Sequence, residues 1–307
     1  MEGDVMKILN YGSLNIDHYY KVDDIVKPGE TITVNAVFKQ KGGKGLNRSV
    51  AMSRAGSDNV YHAGAIGQGG KFLLDFLEEN KVNTDLVTYF EDEISGHAII
   101  QLDQHGENCI LVYGGTNKII SKNMIDDILE NFEAGDILVV ENETINIPYI
   151  IRKAKEKSMY IYFNASPIDE VITKELIGNI DCLIINEHEG AAITGAKHID
   201  TILKRLQKEY PDLEVILTLG AHGSIYAYKS QRIQQDAIKT KPVDTTGAGD
   251  CFTGYFISSR AQGRTVSDSL KIASYASSLT IKKEGAADAI PTQDEVREYM
   301  KFENTEI

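Results

Sequence analysis

The most informative part of the sequence is a glycine-rich stretch that reads Asp244-Thr245-Thr246-Gly247-Ala248-Gly249-Asp250. A helical pattern follows it, with Phe252, Tyr255 and Phe256 on one face. Such a turn directs backbone N–H groups toward the helix N-terminus, where the helix dipole favours an anion. A carboxylate fits beside that anion site if Asp250 accepts a proton from an attacking hydroxyl while the amides hold a phosphoryl group. Spacing alone leaves a second interpretation open, in which the stretch is a plain turn and Asp250 a helix cap.

Short apolar runs alternate with helical patterns along the rest of the chain. Five runs are typical of strands buried on both faces of a parallel sheet, at residues 6–11, 136–140, 159–163, 182–185 and 214–218. Helices are predicted at residues 46–55, 250–260 and 267–283. The expected fold class is α/β, a mostly parallel central sheet flanked by helices in three Rossmann-like layers. Since ligands gather at the carboxyl ends of such strands, Glu143, Asn186 and Gly220 are site candidates by position.

Two segments break this alternation, at about residues 18–40 and 96–113. Both contain strand-like patterns, and the second has a turn at residues 103–108. We expect these strands to form a small antiparallel sheet, inserted into a single domain that spans residues 1–307.

Composition excludes several classes of partner. The formal net charge of −13 argues against nucleic acid and anionic membranes, which favour a basic face. No apolar run approaches the roughly 18–20 residues that span a bilayer, and the N-terminus does not resemble a signal peptide. The three cysteines have neither zinc nor disulfide spacing. We therefore expect a cytoplasmic protein with reduced thiols.

Two motifs in the N-terminal part carry groups suited to sugar hydroxyls. In the stretch Gly12–Asp17, Asn15 and Asp17 face the same way if the chain is extended. In the stretch Gly42–Asn47, glycines permit close backbone approach to a ligand, and Asn47 can bind hydroxyls. The second stretch lacks the spacing of a Walker A motif. Each stretch alone is also compatible with a simple turn.

A fourth motif follows the strand at residues 182–185. Asn186 and Glu189 share one face of a helical turn, and their oxygen atoms suit Mg²⁺. A helix start with favourable acidic residues is the alternative.

Together, the four motifs stand in the order found in the ribokinase (PfkB) family of carbohydrate kinases, which the sequence resembles from Gly12 to about Pro291. The resemblance implies a ribokinase-like fold and an ATP-dependent kinase that phosphorylates a sugar hydroxyl, with ribose and ribose 5-phosphate as the first expectation. A kinase for fructose, a nucleoside or a keto-deoxy sugar acid is the alternative. From another class, a non-catalytic sugar- or nucleotide-binding protein remains open. A nicotinamide-dependent enzyme is disfavoured, because no Gly-x-Gly-x-x-Gly follows the first strand.

The resemblance also implies roles for individual residues. Asp250 is the expected catalytic base, and the anion hole is formed by the amides of Gly247, Ala248 and Gly249. The expected sugar contacts are Asn15, Asp17, Gly43, Lys44, Asn47 and Glu143, with Glu141 as the alternative to the last. The expected nucleotide contacts are Asn186, Thr218, Gly220 and Gly223, and Glu189 is expected to bind Mg²⁺ through water.

A monovalent cation, K⁺, is implied beside the anion hole. Its expected positions are Asp244, Thr246, Thr280, Lys283 and Gly285. Ala289 stands where members of the family often have a serine, which leaves the dependence on K⁺ open. The small sheet resembles a lid that covers the sugar and joins two chains into a homodimer.

Overall fold

The strands and helices alternate along most of the structure, a computed structural model that describes residues 6–303. The strands are β1 (Ile8–Tyr11), β2 (Asn15–Lys21), β3 (Ala36–Gly42), β4 (Val60–Gln68), β5 (Asn83–Ile94), β6 (Gly96–Leu102), β7 (Asn108–Tyr113), β8 (Ile137–Glu141), β9 (Tyr160–Asn164), β10 (Cys182–Asn186), β11 (Glu214–Thr218), β12 (Ser224–Tyr228) and β13 (Gln231–Gln235). The helices are α1 (Lys44–Arg54), α2 (Lys71–Glu79), α3 (Lys122–Leu129), α4 (Ile147–Glu156), α5 (Lys174–Ile177), α6 (Glu187–Thr194), α7 (Ile199–Glu209), α8 (Ala248–Ala261), α9 (Val266–Thr280) and α10 (Gln293–Glu303).

The main sheet runs in the order β13-β12-β11-β10-β9-β8-β1-β4-β5. All pairs from β11 to β5 are parallel, and only β12 and β13 add antiparallel pairs at one edge. The five predicted strands correspond to β1, β8, β9, β10 and β11, side by side in the sheet. The predicted mostly parallel α/β fold is confirmed.

Apolar side chains on both faces of the sheet explain the continuous apolar runs in the sequence. Neighbouring residues of one strand belong to different cores: Leu138 packs with one cluster and Val139 with the other. The first cluster includes residues of α3, α4 and α7, whereas the second includes residues of α1, α8 and α9. Helices therefore cover both faces, as expected for a sheet of parallel strands.

The second sheet has the order β3-β2-β6-β7, and we call it the lid. Its two hairpins are antiparallel, whereas the central pair β2–β6 is parallel. The parallel pair has a topological cause: β2 follows β1 and β6 follows β5, and β1 and β5 run in the same direction in the main sheet. Residues 22–35 lie outside any strand, so the strand pattern predicted for residues 18–40 is realised only at its two ends.

Two observations bear on the expectations from composition. Among residues 6–303, no helix has both the length and the apolar character needed to cross a bilayer. Cys182 and Cys251 are buried free thiols, and Cys109 is an exposed one on the lid.

Candidate active site

The predicted anion-binding stretch forms the start of α8. Gly247 is the N-cap residue with a φ of 74°, a left-handed conformation that glycine adopts without strain. No side chain caps this helix, so the orphan N–H groups of its first turn keep no side-chain acceptor. Asp250 lies inside the first turn, at the third helical residue. It is therefore not the N-cap that the alternative interpretation required.

The carboxylate of Asp250 is held by two consecutive residues of α1. Asn47 donates from Nδ2 to Oδ2 at 2.9 Å, and Arg48 donates from Nε to Oδ1 at 3.1 Å. The Asp250 side chain is 12% exposed, whereas that of Arg48 is fully buried. Asn47 was predicted at this site, but Arg48 was not. The only signal for Arg48 in the sequence is a charged residue followed directly by the small and apolar residues 49–52 of the helix.

One cavity of about 500 Å³, which we call the acceptor cavity, lies between the main sheet and the lid. All six predicted sugar contacts line it together with Asp250, namely Asn15, Asp17, Gly43, Lys44, Asn47 and Glu143. Its lid side is mainly apolar and aromatic, with Lys21, Gln40 and Asn108 among the polar exceptions. Lining residues there include Tyr19, Phe38, Ala98, Ile100 and Ile110.

The polar end of the acceptor cavity is a cluster of interacting charges. Burial raises the pKa of Asp17 to about 7, and the neighbouring Glu143 adds to this effect. Lys44 lies 3.7 Å from Glu143, measured from Nζ to Oε1. Asp250 is the main cause that raises the pKa of Lys44, against the opposing effect of burial. Lys44 therefore remains a cation between carboxylates.

Glu141 and Glu143 differ in their depth below the surface of the acceptor cavity. Glu143 lines the cavity and accepts from Ser13 Oγ at 2.5 Å. Glu141 is fully buried and accepts backbone hydrogen bonds from Ser13, at 2.7 Å, and from Glu143. Burial, and then Glu143, raise the pKa of Glu141 to about 7, while Arg48 lowers it. Glu141 thus supports the loop from the protein interior, and Glu143 is the one of the two that lines the cavity.

A second cavity of about 480 Å³, the nucleotide cavity, lies on the other side of the α8 N-terminus. Thr218, Gly220 and Gly223 line it, as predicted for a nucleotide site. Ala248 and Gly249 also line this cavity, whereas Gly247 and Asp250 line the acceptor cavity. The first turn of α8 is therefore shared by both.

Asn186 and Glu189 form a reciprocal capping box at the start of α6. Asn186 Oδ1 accepts from the Glu189 amide at 2.9 Å, and Glu189 Oε2 accepts from the Asn186 amide at 2.8 Å. Neither residue lines the two cavities, although Asn186 is in register with Thr218 on the adjacent strand. The helix start weighed as an alternative is thus present, and it uses only one of the two Glu189 oxygens. Among residues 6–303, no three His, Cys, Asp or Glu side chains converge to hold a metal ion by themselves.

The expected cation loop is closed by Asp244. Its Oδ1 accepts from the amide and the hydroxyl of Thr246, at 2.9 and 2.6 Å, and its Oδ2 accepts from the Gly285 amide at 3.0 Å. Burial opposes ionisation of Asp244, but these hydrogen bonds outweigh it and lower its pKa. All three residues line the acceptor cavity.

The other two residues expected at the cation site, Thr280 and Lys283, do not line the acceptor cavity. Thr280 is buried and donates to Ala276 O at 3.0 Å. Lys283 pairs with Glu295 at 3.3 Å, and its side chain is about half exposed. The side chains of both therefore have partners other than a cation.

Comparison with known proteins supports the family resemblance that the sequence motifs indicate. Residues 6–293 match the sequence pattern of the pfkB family carbohydrate kinases. The chain is 30% identical over 303 residues to a ribokinase of Staphylococcus aureus (strain COL), covering 95% of this chain and 99% of the relative. A solved ribokinase from Thermotoga maritima has a TM-score of 0.87 at 28% identity and covers 96% of this chain and 99% of its own. Arabidopsis thaliana ribokinase, solved with ribose and ATP, has a TM-score of 0.86 at 27% identity, over 96% of this chain and 98% of its own. The chain belongs to the pfkB family of carbohydrate kinases.

Proposed function

We propose that this protein transfers the γ-phosphoryl group of ATP to the primary hydroxyl of ribose, yielding ribose 5-phosphate and ADP. The observation that carries the proposal is the junction of two cavities at residues 247–250. One cavity collects the hydroxyl-binding side chains and Asp250, and the other is lined by Thr218, Gly220 and Gly223. A helix N-terminus between an alcohol and a nucleotide is suited to hold the group that passes from one to the other. The ribokinase names of the relatives support ribose as the acceptor.

Asp250 is the general base in this proposal. The acceptor oxygen forms a bond to the γ-phosphorus while the bond from that phosphorus to the β–γ bridging oxygen breaks, and ADP leaves. The hydroxyl proton passes to Asp250, whose two oxygens are oriented by Asn47 and Arg48. The amides of Gly247, Ala248 and Gly249 hold the negative oxygens of the transferring group. The lid excludes water, which would otherwise compete with the sugar.

The charges of the acceptor cavity favour a neutral sugar over a sugar acid. Asp17, Glu143 and Asp250 line its polar end, and Lys44 is the cation that lines this end with them. An anionic acceptor would meet an excess of negative charge there, which is unfavourable at short range. Hydroxyl groups instead donate hydrogen bonds to carboxylates.

One observation favours a nucleoside as a second candidate acceptor. Tyr19 and Phe38 are cross-strand partners on the inner face of the lid, with parallel rings 5.0 Å apart. Such rings offer an aromatic surface on which a base can stack. A sugar that carries a base would use both the polar end and the aromatic side of the cavity.

The residues near the nucleotide cavity fit a Mg²⁺ ion that is held mainly by water and phosphate oxygens. Glu189 uses Oε2 in the capping box, so Oε1 is the oxygen we expect to act through water. Asn186 stands beside Thr218 at the strand ends and is the proposed neighbour of the phosphates. When bound, Mg²⁺ neutralises charge on the phosphates.

A monovalent cation fits the loop closed by Asp244. The lowered pKa keeps this carboxylate charged, and its contacts with Thr246 and Gly285 draw two loop segments together beside Gly247. Ala289 is buried and has no side-chain oxygen, so backbone carbonyls must supply the remaining ligands. We propose that K⁺ raises activity by ordering this loop.

The lid is the proposed dimer interface of this single ribokinase-like domain. Strand residues that do not face the acceptor cavity carry exposed apolar side chains, among them Leu111 at 63% and Tyr113 at 53% exposure. An exposed apolar edge strand is a surface that soluble proteins usually cover.

Coupled ADP release over a panel of acceptors tests the function. We expect turnover with ribose, weaker or no turnover with fructose and a keto-deoxy sugar acid, and stimulation by K⁺. Turnover with a nucleoside above that with ribose would replace the first candidate by the second. In Asp250→Asn, kcat should fall by about 10²–10⁴. No turnover with any acceptor, or near wild-type kcat in Asp250→Asn, would contradict the proposal.

A further inference from the structure

Arg48 is the largest of the fully buried side chains in the described part of the chain. An arginine keeps its charge at any accessible pH, and a buried charge is costly unless it is paired. Within residues 6–303, its only ion pair is the one with Asp250. Its Nη1 and Nη2 have no hydrogen-bond partner among these residues. Among the described residues, Asp250 is thus the one hydrogen-bond and ion-pair partner of the buried guanidinium.

The two ligands of the Asp250 carboxylate approach it from different sides. Asn47 lines the acceptor cavity, whereas Arg48 does not and lies behind the carboxylate. With Asn47 alone, the carboxylate would be held at one oxygen and free to turn about it. A second donor on Oδ1 fixes the plane of the group and leaves its remaining lone pairs toward the cavity.

We propose that Arg48 is a positioning residue for the catalytic base, which sets the plane in which Asp250 meets the acceptor hydroxyl. The inference rests on the proposed function, in which Asp250 accepts the proton. It assigns to Arg48 a role in kcat, because proton transfer needs correct geometry. It assigns to Arg48 no role in acceptor binding, because its side chain is outside the acceptor cavity.

Close packing of α1 against α8 makes the contact between Arg48 and Asp250 possible. A Cβ atom added at Gly254 of α8 would lie 2.5 Å from the Cβ of Ala51 and 3.1 Å from the carbonyl oxygen of Arg48. The backbones of α1 and α8 therefore approach at this glycine, one turn beyond Asp250. This approach brings the Arg48 side chain within bonding distance of a residue 202 positions away in sequence.

A stabilising role alone does not account for the arrangement. A buried ion pair is weak grounds for stability, because desolvation offsets the attraction between the charges. Here two guanidinium nitrogens are left without described partners, which a pair serving stability alone would be expected to avoid. The arrangement satisfies the carboxylate at both oxygens and leaves the arginine incompletely satisfied.

Three substitutions separate the hydrogen bond from charge and volume. Arg48→Met removes the donor, and we expect kcat to fall about 10- to 100-fold with the acceptor KM within about 2-fold of wild type. Glutamine carries a donor nitrogen the same number of bonds from Cα as Arg48 Nε, so Arg48→Gln should restore kcat to within about 5-fold of wild type. Asparagine is shorter by one methylene, so Arg48→Asn should be as impaired as the methionine variant. It replaces that variant in the test if Arg48→Met does not fold.

The effect should disappear when the base is absent. In the Asp250→Asn background, Arg48→Met should lower the residual kcat by no more than about 2-fold, because residues that act as a unit are not additive. A loss of the same size in both backgrounds would overturn the proposal, as would a glutamine variant no better than asparagine. Retained activity in Asp250→Asn alone would instead contradict the proposed function, so the two failures can be told apart.

Arg260 provides a matched control. It lies on α8 near the opposite end of the helix and donates to the backbone oxygen of Arg264. Arg260→Met removes an arginine from the same pair of packed helices without touching Asp250. We expect its kcat to stay within about 2-fold of wild type, and a loss equal to that of Arg48→Met would assign both effects to helix packing.

Discussion

Asp17 illustrates how a single residue couples the acceptor cavity to pH. Its carboxylate has a pKa of about 7 because of burial and the nearby Glu143, so it is largely neutral below that pH and ionised above it. A sugar hydroxyl donates a stronger hydrogen bond to the ionised form. The same residue therefore binds the acceptor differently at the two ends of the physiological range.

The first prediction concerns the acceptor KM. Since only the ionised fraction of Asp17 gives the charge-assisted bond, KM for the acceptor should rise about 10-fold when the pH falls from about 8 to about 6. Steady-state kinetics across this range measure it. In Asp17→Asn the KM should be higher and independent of pH. A flat wild-type KM over the same range would contradict the role of Asp17.

Asp250 and Arg48 make a second prediction, about stability. Asp250→Asn leaves the buried Arg48 charge without its anion, and breaking a buried pair in this way costs about 3–5 kcal/mol of unfolding free energy. The double variant Asp250→Asn with Arg48→Met removes both charges and should recover most of that loss. Urea denaturation at neutral pH gives the unfolding free energies of the wild type, of each single variant and of the double variant.

The exposed pair of Asp200 and Arg232 is the control for this measurement. Asp200→Asn removes one partner of a solvated pair and should change stability very little. Arg48 and Asp250 would not be energetically coupled if the double variant lost as much unfolding free energy as Asp250→Asn and Arg48→Met lose together.

At the scale of elements, the site depends on how α1 packs against α8. Asn47 and Arg48 stand on one helix and Asp250 on the other, so a small displacement of either helix alters both contacts. At Gly254 the backbones of the two helices approach closely. The packing of α1 against α8 at Gly254 therefore affects the position of Asp250, one turn earlier on α8.

A third prediction follows for Gly254→Ala. The added methyl group must displace Ala51 or the α1 backbone, and overpacking of this kind costs about 1–3 kcal/mol. We expect lower stability together with a lower kcat, because Asp250 moves away from its two donors. Thermal unfolding and ADP-release kinetics measure the two effects.

A second substitution sharpens this test. Ala51→Gly in the Gly254→Ala background removes the closest contact and should restore part of both losses, since the backbone contacts at 3.1 Å remain. Gly178→Ala is the matched control, because its nearest neighbour would be an ordinary 3.4 Å away. A kcat unaffected by Gly254→Ala would mean that the helix spacing does not govern the site.

The elements also show what the sequence could predict. The five buried strands and the start of α8 were predicted correctly, since a continuous apolar run and a glycine-rich turn are local signals. Strand β4 was not predicted, because His62, Gly64 and Gly67 interrupt its apolar run. Arg48 escaped prediction because its meaning depends on a partner 202 residues away, and no local pattern encodes that pairing.

The candidate site divides along the same line. Asn15, Asp17 and Asn47 come from separate motifs and line one cavity, and their roles toward a sugar stay a prediction. The sequence left Glu141 and Glu143 as alternatives, because they stand two residues apart at the end of β8. In the structure, Glu141 is buried and Glu143 lines the cavity. The roles of Asn186 and Glu189 toward a nucleotide and Mg²⁺ stay a prediction.

At the scale of the whole molecule, the lid has two faces with different duties. On β7, Ile110 and Val112 line the acceptor cavity, while Leu111 and Tyr113 alternate with them and point to the opposite face. All six residues of this edge strand are exposed. In a single chain, nothing among the described residues covers the outer apolar face, which makes a second copy of the chain its proposed occupant.

The last prediction therefore concerns assembly. We expect the wild-type protein to sediment as a dimer and Leu111→Glu as a monomer, because the new charge would be buried without a partner in an apolar interface. Ile168→Glu is the control: Ile168 is also an exposed apolar residue, but it lines a cavity formed with residues of α5, α6 and α7 and with none of the lid. It should leave the dimer intact. Because the same strand lines the acceptor cavity, the monomeric variant should also show a raised acceptor KM with a smaller change in kcat. A wild-type monomer, or a dimer that persists in Leu111→Glu, would remove the lid from the interface and leave it only the task of covering the acceptor.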